Sequence, residues 1–433
     1  MGSLDGLSST LQMQAPTAPY LEDFEAALAR SAETVPTGAP TPPAVDFSDT
    51  ATAFAHLSDG DLRHAHRLFR FMNRPLLVRW GSAFGSFAVR HGLPLAERVT
   101  METIYRQFVG GRTLLEVETA ARALAASGVL SVLDYGAEGK EDERAYNLTM
   151  TECIRAIEFA GQNQSIPVVS TKLTGLCSNE LLARLNRSDS LDPETEREHG
   201  ALLKRVDSLC HVALENGVQL YIDAEESWMQ DAIDHVVLVA MKRYNRERAV
   251  IVNTYQLYRH DRLSALHAHH AACRERGVVL GAKLVRGAYM VKERNHAEET
   301  GQPSPIQHSK ADTDHDFDLA VAYCLDHVAT IEFVNASHNQ ASALRMIAGM
   351  HARGLAPDHP STMFCQLYGM SDNMTYNLAA AGYRVGKYLP YGPVKEVVPY
   401  LVRRAQENTS ITGEASRELQ LVEREIARRA AGR

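Results

Sequence analysis

From Val129 onward the chain alternates short β-branched runs with helical patterns, and the runs number eight: Val129 to Asp134, Ile166 to Leu173, Val218 to Ala224, Ala249 to Leu257, Val278 to Val285, Thr330 to Ser337, Thr362 to Leu367 and Tyr383 to Leu389. Helical periodicity fills the gaps, as in Leu202 to Glu215, Gln230 to Tyr244, Leu263 to Arg276, Phe317 to Val328 and Ala341 to His351. Strand followed by helix, eight times over, predicts an α/β fold of the (β/α)8 TIM-barrel type. An open doubly wound sheet is the competing architecture. It is weakened by the absence of a G-x-G-x-x-G or P-loop, the phosphate cradles that usually accompany nucleotide binding in open sheets. Ahead of the barrel, the segment up to about residue 115 reads as a helical N-terminal arm. Residues 1 to 19 are rich in Ser, Thr, Pro and Ala, and residues 34 to 50 carry Pro36, Pro40, Pro42 and Pro43, so both stretches read as linker. Helical patterns run through Tyr20 to Leu28, through Leu62 to Met72 behind the cap candidate Ser58, and through Pro75 to His91. The barrel domain is then expected over 116 to 433.

Active sites of such barrels lie at the carboxyl ends of the strands, so polar residues late in each run carry the functional signal. They are abundant: Ser170 to Lys172, Asp223 and Glu225, Thr254 to Gln256, Lys283 to Tyr289, Ser337 to Asn339, Gln366 to Met370, and Lys387 with Tyr388. Any one of them taken singly reads as a buried polar group satisfied by its neighbours. Seven strands sharing the feature points instead to a common site. Lys172, Lys283, Arg286, Arg403 and Arg404 outnumber Asp223 and Glu225, so the site should hold something anionic.

The last run turns at Tyr391-Gly392-Pro393 into an amphipathic helix on which Tyr400, Arg403, Arg404 and Glu407 fall at i, i+3, i+4 and i+7. An aromatic ring beside two guanidinium forks suits a small carboxylate with an apolar body. A lysine on a barrel strand also fits a Schiff-base lyase or aldolase, which needs that amine desolvated.

Metal sites are poorly supported. His267, His269 and His270 lie on a polar helix pattern that reads as solvated, and Asp312, Asp314, Asp316 and Asp318 alternate like a calcium loop but place Phe317 where that loop requires glycine. A net charge of −8 without a long basic block argues against nucleic acid. Six scattered cysteines without C-x-x-C read as isolated thiols of a reducing compartment. No apolar run approaches the length of about 18 residues that a membrane span needs, and the first 50 residues hold one basic residue against seven acidic ones. The expected location is therefore cytoplasmic, with any membrane association peripheral and a mitochondrial leader not seen.

The motifs Val-Val-Ser-Thr-Lys172-Leu-Thr, Ile-Asp223-Ala-Glu225, Asn-Thr-Tyr-Gln256, Ala-Lys283-Leu-Val-Arg286-Gly-Ala-Tyr289, Ala-Ser337-His338-Asn339, Gln-Leu367-Tyr-Gly-Met and the Tyr388 to Asn408 run occur in one order across residues 130 to 410. In these the chain resembles the proline dehydrogenases, flavin-dependent barrel enzymes that oxidise proline to Δ1-pyrroline-5-carboxylate. It is most similar to the single-function, eukaryotic-like branch, because 433 residues cannot also contain the second, aldehyde dehydrogenase module of the bifunctional relatives.

The resemblance implies that Arg403, Arg404 and Lys172 grip the proline carboxylate. Tyr289, Tyr388, Tyr400, Leu284 and Leu367 would enclose the ring, with Asp223 holding Tyr388. FAD would be held by Gln256 and Lys283 at its ring system, by the Val285 to Met290 segment with Gly287 and Ala288, and by Ser337 and His338. Glu225, Glu407 and Glu138 would complete the polar shell. A membrane quinone would receive the electrons. Hydroxyproline dehydrogenase is the alternative within the class; Tyr388 argues against it, since relatives acting on hydroxyproline tend to carry a smaller residue there.

Overall fold

The structure, a computed structural model, describes residues 45–74, 78, 88, 96–136, 142–187, 190–410 and 414–432, with backbone alone at 405–410, 414 and 415. The expected helical patterns at Tyr20 to Leu28 and through most of Pro75 to His91 lie outside the described residues. Eight strands are found where the sequence places them: β1 Leu130–Tyr135, β2 Val168–Thr171, β3 Gln219–Ile222, β4 Ile251–Gln256, β5 Leu280–Val285, β6 Ile331–Ala336, β7 Thr362–Leu367 and β8 Val385–Tyr391. They form a closed barrel in chain order. The ring shuts where β8 runs parallel to β1, from Leu130 opposite Gly386 to Tyr135 opposite Tyr391. The chain is thus a (β/α)8 barrel.

Both faces of these strands are buried, as parallel strands covered by helices require. Every residue of β2, β4 and β8 is buried. One face, with Val132, Val168, Tyr221, Val252, Val334, Met363, Cys365 and Tyr388, plugs the barrel interior. The other, with Leu133, Leu220, Ile251, Leu280 and Phe364, packs against the surrounding helices. Because side chains alternate along a strand, the interior face continues towards the carboxyl ends as Asp134, Ser170, Asp223, Thr254 and Lys283. Register places Thr254 beside Lys283, and Lys283 beside Val334.

Ahead of the barrel, Ser58 caps helix Asp59–Met72 through a capping box with Asp61. That helix joins the last one, Glu414–Ala431, in a second apolar cluster with Val397, Tyr400 and Leu401. Arg429 ties the two ends together by donating to Phe54 O at 2.7 Å, Leu57 O at 2.9 Å and Asp59 at 2.9 Å.

Two histidines expected in solvent are inside. His269 and His270 are buried on helix Arg262–Arg274. His269 Nδ1 meets the Tyr255 hydroxyl at 3.0 Å, and His270 meets the Tyr323 and Thr330 hydroxyls at 2.7 and 2.9 Å. The helix turns this face towards β4 and helix Lys310–Asp326, so hydroxyl partners there replace water. The alternating aspartates lie on that second helix, where Asp312 closes a capping box with Ser309. No helix among the described residues is long and apolar enough to cross a membrane.

Candidate active site

At the carboxyl ends of β1 to β3, β5 and β8 the interior face converges on one carboxylate. Asp223, just past β3, accepts from Ser170 Oγ at 2.8 Å, from Lys283 Nζ at 2.6 Å and from the Tyr388 hydroxyl at 2.7 Å. The Lys283 ammonium also stands 4.8 Å from the centre of the Tyr388 ring. Burial pushes the Asp223 carboxyl up, but the bonded Lys283, the Tyr388 hydroxyl and the Lys172 charge bring it below its ordinary value. Asp134 has the opposite fate. Burial, and then the Asp223 charge, lift it to about 7, although Lys172 and Lys283 pull against that rise. Burial likewise lifts Glu225 to about 7 against the pull of Lys172, while its carboxylate accepts from the Thr174 backbone at 3.1 Å and the Thr174 hydroxyl at 2.6 Å.

Around this node stand the cations and rings that the sequence singles out. Lys172 and Arg403 both bear on the Tyr289 hydroxyl, which burial raises to about 12. Arg404 lies 5.2 Å from the centre of the Tyr400 ring, and its charge reaches His338. Leu367 packs against both the barrel plug and the helical cluster, at the seam between them.

Gln256 bridges three strand ends. Its amide donates to Glu225 O at 2.8 Å, and its carbonyl accepts from Ala288 N at 3.2 Å, which leaves one amide hydrogen for a ligand. Gly287 and Ala288 are exposed backbone beside it. Gly287 has φ +140°, and a Cβ there would lie 2.4 Å from the Tyr258 ring. Gly287→Val is accordingly expected to destabilise the fold by on the order of 3 kcal/mol. A thermal melt equal to that of the parent protein would contradict this.

Three expectations are corrected by the direction of side chains. Leu284 does not wall the pocket; it is fully buried with Leu257, Leu266 and Phe317 in the layer between strands and helices, because its neighbour Lys283 takes the inward position. Lys387 is turned outward by the same alternation against Tyr388. It pairs with Asp372 at 2.7 Å and donates to Met370 O. Arg286 is a brace, donating to Asp314 at 2.7 Å, Ser337 at 2.6 Å and Ser342 at 2.9 Å over the Phe317 ring. Val285 and Ser337 close β5 and follow β6 at the mouth, and Met290 opens helix Met290–Thr300 with 42% exposure, placing it at the rim. The Glu407 side chain and all of Glu138 fall outside the described residues. The sequence reading overlooked Asp134, although the first run ends on it just as others end on polar residues.

Over residues 117–417 the chain matches the family model described as proline dehydrogenase. The chain belongs to the proline dehydrogenase family. Among its relatives, the carbapenem antibiotics biosynthesis protein CarD of Pectobacterium carotovorum is 35% identical over 75% of this chain and 84% of that protein. Hydroxyproline dehydrogenase of Xenopus laevis is 31% identical over 89% of this chain and 90% of its own length. Human mitochondrial proline dehydrogenase 1 is 33% identical over 82% of this chain, which spans only 57% of it. Among solved structures, proline utilization A from Bdellovibrio bacteriovorus superimposes with a TM-score of 0.66 at 19% identity, over 90% of this chain and 41% of that one, a likeness of fold.

Proposed function

We propose that the protein oxidises L-proline to Δ1-pyrroline-5-carboxylate, the first step of proline catabolism, with FAD as cofactor and a quinone as electron acceptor. The observation that carries this reading is the Asp223 node: it fixes the Tyr388 ring and the Lys283 cation side by side at the barrel mouth, within reach of the Lys172 charge. Such a site suits a small molecule with a carboxylate at one end and an apolar ring at the other. The donor set also fits a flavin, with Gln256, Lys283, Glu225, the Val285 to Met290 backbone, Ser337 and His338 as the holding residues. FAD, when bound, takes up the hydride from the ring carbon beside nitrogen.

Arg403, Arg404 and Lys172 anchor the carboxylate, so that binding energy remote from the reacting carbon is used for orientation. Tyr289, Tyr388, Tyr400 and Leu367 cover the ring and exclude water. Lys283, held by Asp223, is a fixed cation that stabilises negative charge arriving at the cofactor. Its engagement with Asp223 argues against the Schiff-base lyase, which needs a lysine presented as a free amine. Hydroxyproline as substrate has the Xenopus relative in its favour. Against it stands the resemblance, in which relatives acting on hydroxyproline tend to carry a smaller residue where this chain has Tyr388, whose hydroxyl is held by Asp223.

Anaerobic titration of the flavoprotein with proline and with hydroxyproline, side by side, tests the assignment. Proline is expected to bleach the flavin at far lower concentration, and flavin left oxidised by proline defeats the proposal. Tyr388→Ser in the same assay is expected to raise the hydroxyproline-to-proline turnover ratio about tenfold or more; a flat ratio means that Tyr388 is not the discriminating wall.

A further inference from the structure

The helix Glu414–Ala431 sends two consecutive side chains into the strand ends of the barrel. Arg417 donates to the backbone carbonyl of His338 at 3.2 Å. Glu418, only 3% exposed, accepts from Ser371 N at 3.0 Å and from Ser371 Oγ at 3.4 Å, both on the same carboxylate oxygen. Ser371 is in turn 2.8 Å, through Oγ, from Nδ1 of His338. Its backbone stands at φ 51°, the one left-handed residue other than glycine among the described residues. Holding a serine there costs about 1 kcal/mol or more, although glycine would meet the turn without strain. A side chain kept in a strained conformation, buried, and aligned between a carboxylate and an imidazole is a reason to look for what the hydroxyl does.

Proton counting gives the answer. Ser371 has one hydroxyl proton, and burial with the Asp372 charge lifts Glu418 to about 7, against the pull of the Arg417 and Lys387 charges and of the Ser371 N–H. Above that value Glu418 is an ionised acceptor, and its oxygen, already accepting from the Ser371 N–H, takes the hydroxyl proton. Only lone pairs of Ser371 Oγ then face His338, so Nδ1 of the imidazole must be the donor. The ring is neutral: burial, with the nearby charges of Lys387, Arg404, Arg417 and Arg286, depresses it to about 3. A neutral ring protonated at Nδ1 carries a bare lone pair on Nε2.

We propose that Glu418 and Ser371 are positioning residues that lock His338 in its Nδ1–H tautomer, so that the ligand group it meets is a hydrogen-bond donor, such as a sugar or ribityl hydroxyl, and not a phosphate oxygen. This rests on the flavoenzyme reading above, and it extends the site to Glu418, one residue beyond the matched family segment.

The test uses the full-length chain labelled with [15N]histidine in buffer well above pH 7, where Glu418 is ionised, with His338→Gln to assign the resonance and two-bond 1H–15N correlations to read the tautomer before and after FAD is added. His338 is expected to show a protonated Nδ1 and an unprotonated Nε2. Ser371→Gly removes the hydroxyl and relieves the backbone; it should release the ring to the Nε2–H tautomer and raise the FAD dissociation constant about tenfold without lowering the melting temperature. Glu418→Gln keeps an acceptor oxygen and should leave tautomer and affinity close to the parent. An Nε2–H ring in the parent protein, or a Ser371→Gly variant with parental tautomer and parental FAD affinity, overturns the proposal. A chain that binds no FAD defeats the flavoenzyme reading instead, and the tautomer measurement still decides the relay.

Discussion

Replacing Arg403 by methionine is expected to raise the Michaelis constant for proline by about ten- to a hundredfold, the equivalent of losing one charge-assisted contact of roughly 1.5–3 kcal/mol. Methionine keeps much of the stem that packs on the helix while deleting the fork. The effect should fall on proline and spare the cofactor, so flavin content and the visible spectrum remain those of the parent protein. Arg404→Met is expected to act in the same direction. Steady-state kinetics over a wide proline range, with flavin content measured in parallel, decide it: unchanged Michaelis constants in both variants would remove the two arginines from the carboxylate site.

Asp223→Ala carries the second large effect. The substitution deprives Lys283, Ser170 and Tyr388 of a shared acceptor at once. Removing one member of a buried ion pair leaves the other charge without compensation, and a loss of about 3 kcal/mol of stability is expected. The Tyr388 ring also loses its anchor, so proline turnover should drop by about a hundredfold or more. Stability and chemistry separate in the double variant Asp223→Ala, Lys283→Met. Removing the stranded ammonium should recover much of the melting temperature without recovering activity. A single variant as stable as the parent protein would show that the pair contributes little, and a double variant that regains turnover would show that neither residue is needed for catalysis.

The fold was legible because it rests on local signals. Eight β-branched runs with helical gaps have few architectures open to them, and the polar tips of the runs mark the mouth whatever the exact register. Asp134 stood at such a tip and was legible in principle. His269 and His270 were misread because their partners, the hydroxyls of Tyr255, Tyr323 and Thr330, come from other elements and turn a polar-looking helix face into a buried one.

By itself, then, the sequence determined that this is a barrel and where its strands run. The tertiary structure decided which of two adjacent residues faces the pocket. Lys283 points in and Leu284 out, Tyr388 in and Lys387 out, and since both faces of a strand in a closed parallel barrel are buried, the apolar pattern cannot say which face is the interior. The structure alone also joined Glu418 to Ser371, 47 residues away, because that contact follows from where the last helix docks and leaves no periodic trace in the chain.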